Sequence, residues 1–226
     1  GRKVLPVFDL SSCTGCGNCF VQCPHSAIPP MALNIESIIN AGIQMARSGG
    51  NVIAQITPLQ KGWVKASYNE IKEQKAEIRQ IKDFLPQAFG TLVKQLKLEG
   101  EKLEIVSKEM TSIVDAIGDF QIAITDKYFT EWENIENGSG ELFSLTVDLN
   151  ACTGCSLCAE VCNEKAISME TTVSETEDKL NRQFTLWEQL PDTSVSTINR
   201  LIEDANYPSL AAVLLSRNFY LTMTGG

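Results

Sequence analysis

The chain has 226 residues, 43% hydrophobic and 21% charged, the balance of a soluble globular protein of one or two domains. A net charge of −9 argues against nucleic-acid phosphates and anionic membrane surfaces as partners, since both need clustered Lys and Arg. No apolar run approaches the ~18 residues of a membrane helix, and a cytoplasmic location is expected. The N-terminal GRKVLPVFDL has neither an initiator Met nor a signal-peptide core. With LTMTGG at the other end, the chain reads as a segment cut from a longer one.

Four cysteines, Cys13, Cys16, Cys19 and Cys23, open the chemistry of the chain within CTGCGNCFVQCPHSAI. In MALNIESIINAGIQMARSGG, residues 31–50, apolar positions 35, 38, 39, 42 and 45 suit a helix closed by Gly49 and Gly50. NVIAQI reads as a short extended stretch. From Val64 to about Phe84 the pattern is helical, with Ile71, Ile78 and Ile81 on one stripe, and Pro86 kinks or ends it. Leu92, Val93, Leu96 and Leu98 continue an amphipathic stretch to Gly100, and Leu103, Val106, Met110, Ile113, Val114 and Ile117 mark another helix. Phe120 to Ile135 reads as helix, or helix broken near Gly118. GSG at 138–140 is a turn, and ELFSLTVDL alternates like a strand.

That strand leads into CTGCSLCAEVCNEKAI, with Cys152, Cys155, Cys158 and Cys162. Beyond it, DKLNRQFTLWEQL, TINRLIEDAN and SLAAVLLSRNFYL read as three helices separated at Pro191 and Pro208. The last is the most apolar and is expected to be buried or to form an interface. Trp63, Trp132 and Trp187 are expected in the core.

Shifting the chain by the 139 residues from Cys13 to Cys152 superposes 7–28 on 146–167 without a gap, with ten identities in twenty-two positions. The pattern is an internal duplication. All eight cysteines lie in the two runs, and residues 24–151 contain none, an arrangement that fits reduced thiols better than a disulfide scaffold. Structural zinc uses CxxC pairs separated by a dozen or more residues, and a third cysteine three residues after a pair does not suit it.

The spacing C-x2-C-x2-C-x3-C is similar to the bacterial ferredoxin run, whose first three cysteines hold one [4Fe-4S] cluster and whose fourth ligates the other. Cluster one is then expected on Cys13, Cys16, Cys19 and Cys162, and cluster two on Cys152, Cys155, Cys158 and Cys23, with amides freed by Gly15 and Gly17 aimed at the sulfurs. Two such clusters form a short electron wire. His25, the lone histidine, follows Cys23 closely enough to tune a potential, although a structural role is the commoner one for such a residue. Asp9 and Asp148, each four residues before a first cysteine, suit turn or cap positions. No GxGxxG, P-loop or Ser-His-Asp pattern supports hydride transfer, phosphoryl transfer or acyl hydrolysis.

CTGCGNCFVQCPHSAIPP, with TVDLNAC before the second run, resembles the ferredoxin-type domain of pyruvate:ferredoxin oxidoreductase and related 2-oxoacid oxidoreductases of anaerobic metabolism; CPHSAI is its more specific part. The resemblance covers residues 4–34 and 141–170. It implies a relay, not catalytic alone, from a thiamine-diphosphate site in the rest of a parent enzyme to external ferredoxin or flavodoxin. Its partners would be the other domains of that oxidoreductase. The long linker departs from the family pattern, as does Asn163 after the fourth cysteine, and no thiamine-binding signature is present.

The expected architecture is α+β: a bacterial two-cluster ferredoxin-like module (1–34 and 141–175) split by a long, mostly helical insertion (35–140), with a helical C-terminal extension (176–226). The insertion is expected to be replaceable by a short Gly/Ser linker over 51–136 with both clusters kept. The alternative is a free-standing ferredoxin-like carrier or an iron–sulfur subunit of another oxidoreductase. A cluster-free interaction scaffold is a third and weaker reading.

Overall fold

A computed structural model describes residues 2–224. It is mixed α+β, with small two-stranded sheets and a cysteine motif at each end of a long helical insertion. Strand β1 (Val4–Phe8) precedes the first motif, whose only helix is the single turn α1 (Asn18–Val21). Strand β2 (Pro30–Asn34) follows and pairs antiparallel with β3 (Glu141–Leu145), Pro30 facing Leu145 and Asn34 facing Glu141. Strand β4 (Ile167–Thr171), after the second motif, pairs antiparallel with β1, Val4 facing Thr171 and Phe8 facing Ile167.

The two sheets share one register under the repeat. Val4 faces Thr171, and their mates 139 residues away, Phe143 and Ala32, face each other. Each sheet joins a strand from one end of the chain to a strand from the other. Residues 31–34, expected as helix, therefore belong to β2; every residue from Pro30 to Leu33 is buried, which hides the alternation of a half-exposed strand.

Helix α2 (Ile35–Ser48) starts where the Asn34 side chain accepts a hydrogen bond from the Ser37 amide at 2.8 Å, and it buries Ile35, Ile38, Ile39, Ile43 and Ala46. NVIAQI forms no strand. The carboxylate of Glu109 accepts the amides of Ala54 and Gln55 on Oε1 and of Ile56 on Oε2, at 3.1, 3.0 and 2.7 Å, which takes the place of a strand partner. Helix α3 spans Gln60–Gln74 and stops short of the expected Phe84. Ile78 and Ile81 are buried, but their segment pairs by backbone with 118–122 (Ile81 N to Phe120 O, 3.2 Å; Ile122 N to Arg79 O, 3.0 Å), so tertiary hydrogen bonds override the helical spacing. Pro86 does not end a helix; it sits in the first turn of α4 (Leu85–Leu96), where its missing N–H costs nothing. Helix α5 (Gly100–Ile117) buries Val106, Ile113 and Ile117 as expected.

Residues 120–135 are only partly helical: a five-residue π-type turn at Asp126–Thr130 runs into the short α6 (Glu131–Ile135), while Ala123 bridges to Phe143. After the second motif's turn α7 (Leu157–Glu160) come α8 (Ser174–Gln189) and α9 (Val195–Glu203), divided at Pro191. The expected last helix is two, α10 (Ser209–Leu214) and α11 (Arg217–Thr224). Trp63 and Trp187 are fully buried, whereas Trp132 is half-buried beneath the Arg200 guanidinium, 3.7 Å from its ring. One continuous buried cluster runs through the cysteine motifs, the insertion and the C-terminal helices. Among the described residues no helix is long and apolar enough to cross a membrane.

Two buried carboxylates give direct tests. Glu109→Ala leaves three amides without their acceptor and is expected to lower the unfolding free energy by roughly 3 kcal/mol, read from urea titration, with Glu109→Gln in between. Glu133 accepts the Gly138 and Gly140 amides and pairs with Lys72 at 2.7 Å. Burial alone would raise its pKa, but Lys72 and the two amides outweigh that and hold it below the ordinary 4.5. A depressed folded pKa contributes stability that is complete above the unfolded value and is lost as pH falls through the folded one. Stability should therefore fall more steeply below pH ~4.5 in the wild type than in Lys72→Met, in which part of the depression is gone.

Candidate metal centre

Each cysteine run begins at an aspartate turn. Asp9 Oδ1 accepts the Ser11 amide at 3.1 Å and Asp148 Oδ1 the Asn150 amide at 2.8 Å, so both aspartates are turn residues. The loops between the first and third cysteines need left-handed backbone. Gly15 has φ +72° and Gly17 φ +87°; their mates Gly154 and Ser156 have φ +72° and +67°. This conformation turns the Gly15 amide toward the Cys13 sulfur at 3.4 Å. After each fourth cysteine, Ser26 and Lys165 also take positive φ, and the amides of Ala27 and Ala166 donate to Cys23 Sγ and Cys162 Sγ at 3.3 and 3.2 Å. The two halves thus repeat their backbone geometry as well as their sequence.

The thiols gather in two cavities. Cys13, Cys16, Cys19 and Cys162 line the first, a space of about 590 Å³ counting the part open to solvent. Cys23, Cys152, Cys155 and Cys158 line the second, of about 340 Å³ on the same measure. In each, three cysteines come from one run and the fourth from the other. His25 lies at the exposed rim of the second. Among the described residues no three His, Cys, Asp or Glu side chains converge tightly enough to hold a single metal ion. In each cavity the four thiols line one space, as a cluster held by four thiolates requires.

Burial pushes the Cys13 thiol up to about 11, and the Cys19 thiol well above its ordinary value. Burial likewise takes Cys158 to about 11 and raises Cys152, where the Gly154 amide and the charge of Arg2 work against it. As free thiols these four stay protonated at neutral pH; metal ligation requires thiolates, so loading releases protons.

The first loop has a buried support that sequence reasoning missed. Tyr207 donates its hydroxyl hydrogen bond to the Gly15 carbonyl at 3.1 Å, and Tyr128 meets Tyr207 hydroxyl to hydroxyl. The Tyr128 ring stacks on Phe143, centroids 4.7 Å apart. The Tyr220 hydroxyl donates to the Ser26 carbonyl, and Trp187 Nε1 donates to the Pro30 carbonyl at 3.1 Å. Tyr128 belongs to the insertion, so a linker in place of 51–136 would remove this side chain from beneath the first loop. No periodic or local signal marks these tyrosines, because their partners lie 79 to 194 residues away.

A family model of the 4Fe-4S binding domain matches residues 5–28. No curated protein and no solved structure matches the chain. The chain thus carries a 4Fe-4S binding motif at 5–28 and a second cysteine group at 152–162.

The support beneath the loop is tested at Gly15. A Cβ there would lie 2.7 Å from Tyr128 Cε2, on a backbone with φ +72°. Gly15→Ala is expected to cost roughly 2 kcal/mol in urea unfolding. The double variant Gly15→Ala/Tyr128→Ala should not be additive, because removing the ring also removes the clash.

Proposed function

We propose that the chain is an electron relay holding two [4Fe-4S] clusters, one on Cys13, Cys16, Cys19 and Cys162 and the other on Cys152, Cys155, Cys158 and Cys23. The observation that carries this reading is the lining of the two cavities, three thiols of one run and the fourth of the other in each. The match of residues 5–28 to the 4Fe-4S binding domain supports the same chemistry. When bound, each cluster supplies a one-electron centre. The protein contributes thiolates at fixed positions, amides aimed at sulfur, and apolar walls that limit water and so set the potentials.

The narrower context, a relay between a thiamine-diphosphate site and external ferredoxin or flavodoxin in a 2-oxoacid oxidoreductase, rests on the resemblance of CTGCGNCFVQCPHSAIPP and TVDLNAC, of which CPHSAI is the more specific part. The long helical insertion and Asn163 depart from that family's pattern, and no comparison links the chain to such an enzyme. A redox protein as partner follows from the relay itself and holds equally for a free-standing carrier.

Protein prepared without oxygen should carry about eight irons and eight labile sulfides per chain, with broad absorbance near 400 nm that dithionite bleaches. Two zincs and no visible absorbance would overturn the proposal. Crossed ligation has its own test. Cys23→Ala is expected to damage the cluster on Cys152, Cys155 and Cys158 and to spare the one on Cys13, Cys16 and Cys19, as read by iron content and EPR. Loss of the Cys13 cluster instead would refute the pairing.

A further inference from the structure

The duplication allows the two sites to be compared position by position, and they differ in wall and in charge. Phe8, Phe20 and Phe143 line the first cavity. Their mates 139 residues away are Val147, Ala159 and Val4. Gly15 and Gly17 are buried, closed over by Tyr128 and by Ala211 of α10, while Gly154 and Ser156 are half-buried.

Charge differs in the same sense. At the rim of the first cavity stands Glu164; its mate at the rim of the second is His25. Beside the second loop the Arg2 guanidinium donates to the carbonyls of Leu149 and Cys152, the latter at 2.9 Å, and is only partly offset by Glu177 at 3.4 Å. The position matching Arg2 in the repeat holds no cation, and the nearest guanidinium influence at the first loop is that of Arg79 on Asp9, ahead of the first cysteine. Its mate is Glu141, a buried carboxylate that accepts from Thr197 and pairs with Arg200.

Reduction adds one negative charge to a site. A nearby guanidinium favours that charge, while neutral aromatic walls that exclude water and an acidic rim oppose it. We infer that the two sites are built to unequal reduction potentials, with Arg2 making the Cys152 site the higher, so that a single electron held by the chain resides there. The inference rests on the two-cluster reading and orders what that reading leaves equal.

The test is an EPR-monitored potentiometric titration of the loaded full chain, with dithionite as reductant. Two separate one-electron waves are expected, apart by at least a tenfold ratio in equilibrium, which is about 59 mV for one electron. Arg2→Gln should lower the upper wave and leave the lower one in place, and Arg2→Lys, which keeps the charge, should hold the upper wave near its original position. Cys152→Ala/Cys155→Ala, which leaves the second site two thiols, should retain only the lower wave. This last variant decides the order even if Arg2→Gln loses its second cluster. Coincident waves, an upper wave that survives the double cysteine variant, or an Arg2→Gln shift confined to the lower wave would overturn the inference. Absence of any cubane signal in the wild type would instead overturn the two-cluster reading beneath it.

Discussion

Everything in this chain depends on bringing its two ends together. Strand β1 finds its partner in β4 and β2 in β3, so neither sheet exists until residues near 4–34 meet residues near 141–171. The cysteine runs impose the same condition, since each cavity is finished by a thiol from the far run. Backbone pairing and thiol placement are one constraint expressed twice, and the shared register of the two sheets is its signature.

Closing a loop of more than a hundred residues is less costly than its length suggests, because loop-closure entropy grows by only about 0.6 kcal/mol per doubling. The harder requirement is that the intervening helices return the chain to its starting point. Here they do so by packing. Helix α2 lies against α5, α3 against α4, and one buried cluster continues from them into both motifs. The insertion is therefore structural in a strong sense. It supplies Tyr128 beneath the Gly15 loop, while the turn between α9 and α10 supplies Tyr207 to the Gly15 carbonyl and α11 supplies Tyr220 beside Ser26.

Duplication provides two sites with the same backbone, and the surroundings then make them different. The aspartate turns, the left-handed residues and the amide-to-sulfur bonds occur in both halves. The phenylalanines, Tyr128, Tyr207 and α10 gather on the first site, while Arg2 stands beside the second and Tyr220 of α11 bonds Ser26 close to Cys23. Substitutions within the repeat, at Phe8, Phe20 and His25, and elements outside it together break its symmetry. Symmetry of ligands with asymmetry of environment is the condition for two chemically identical groups to hold different affinities for an electron.

The cysteine spacing, the repeat and the aspartate turns were legible in the sequence because their physics is local. Four thiols within eleven residues and a glycine two residues after the first define a loop whatever surrounds it. Helices with a clear apolar stripe, such as α2 and α5, were legible for the same reason. What failed was decided by partners far along the chain. Residues 31–34 have a β-partner more than a hundred positions away, Ile78 and Ile81 mimic a helical stripe while the backbone of 79–82 bonds to 118–122, and NVIAQI is held by the carboxylate of Glu109. The tyrosines under the first loop and the arginine beside the second carry no sequence signal, because a hydroxyl or guanidinium acquires its role only from the carbonyl that the fold sets against it. Sequence determined which residues form the two cysteine loops; tertiary structure alone decided which surfaces close over each of them, since that depends on long-range packing that no local pattern encodes.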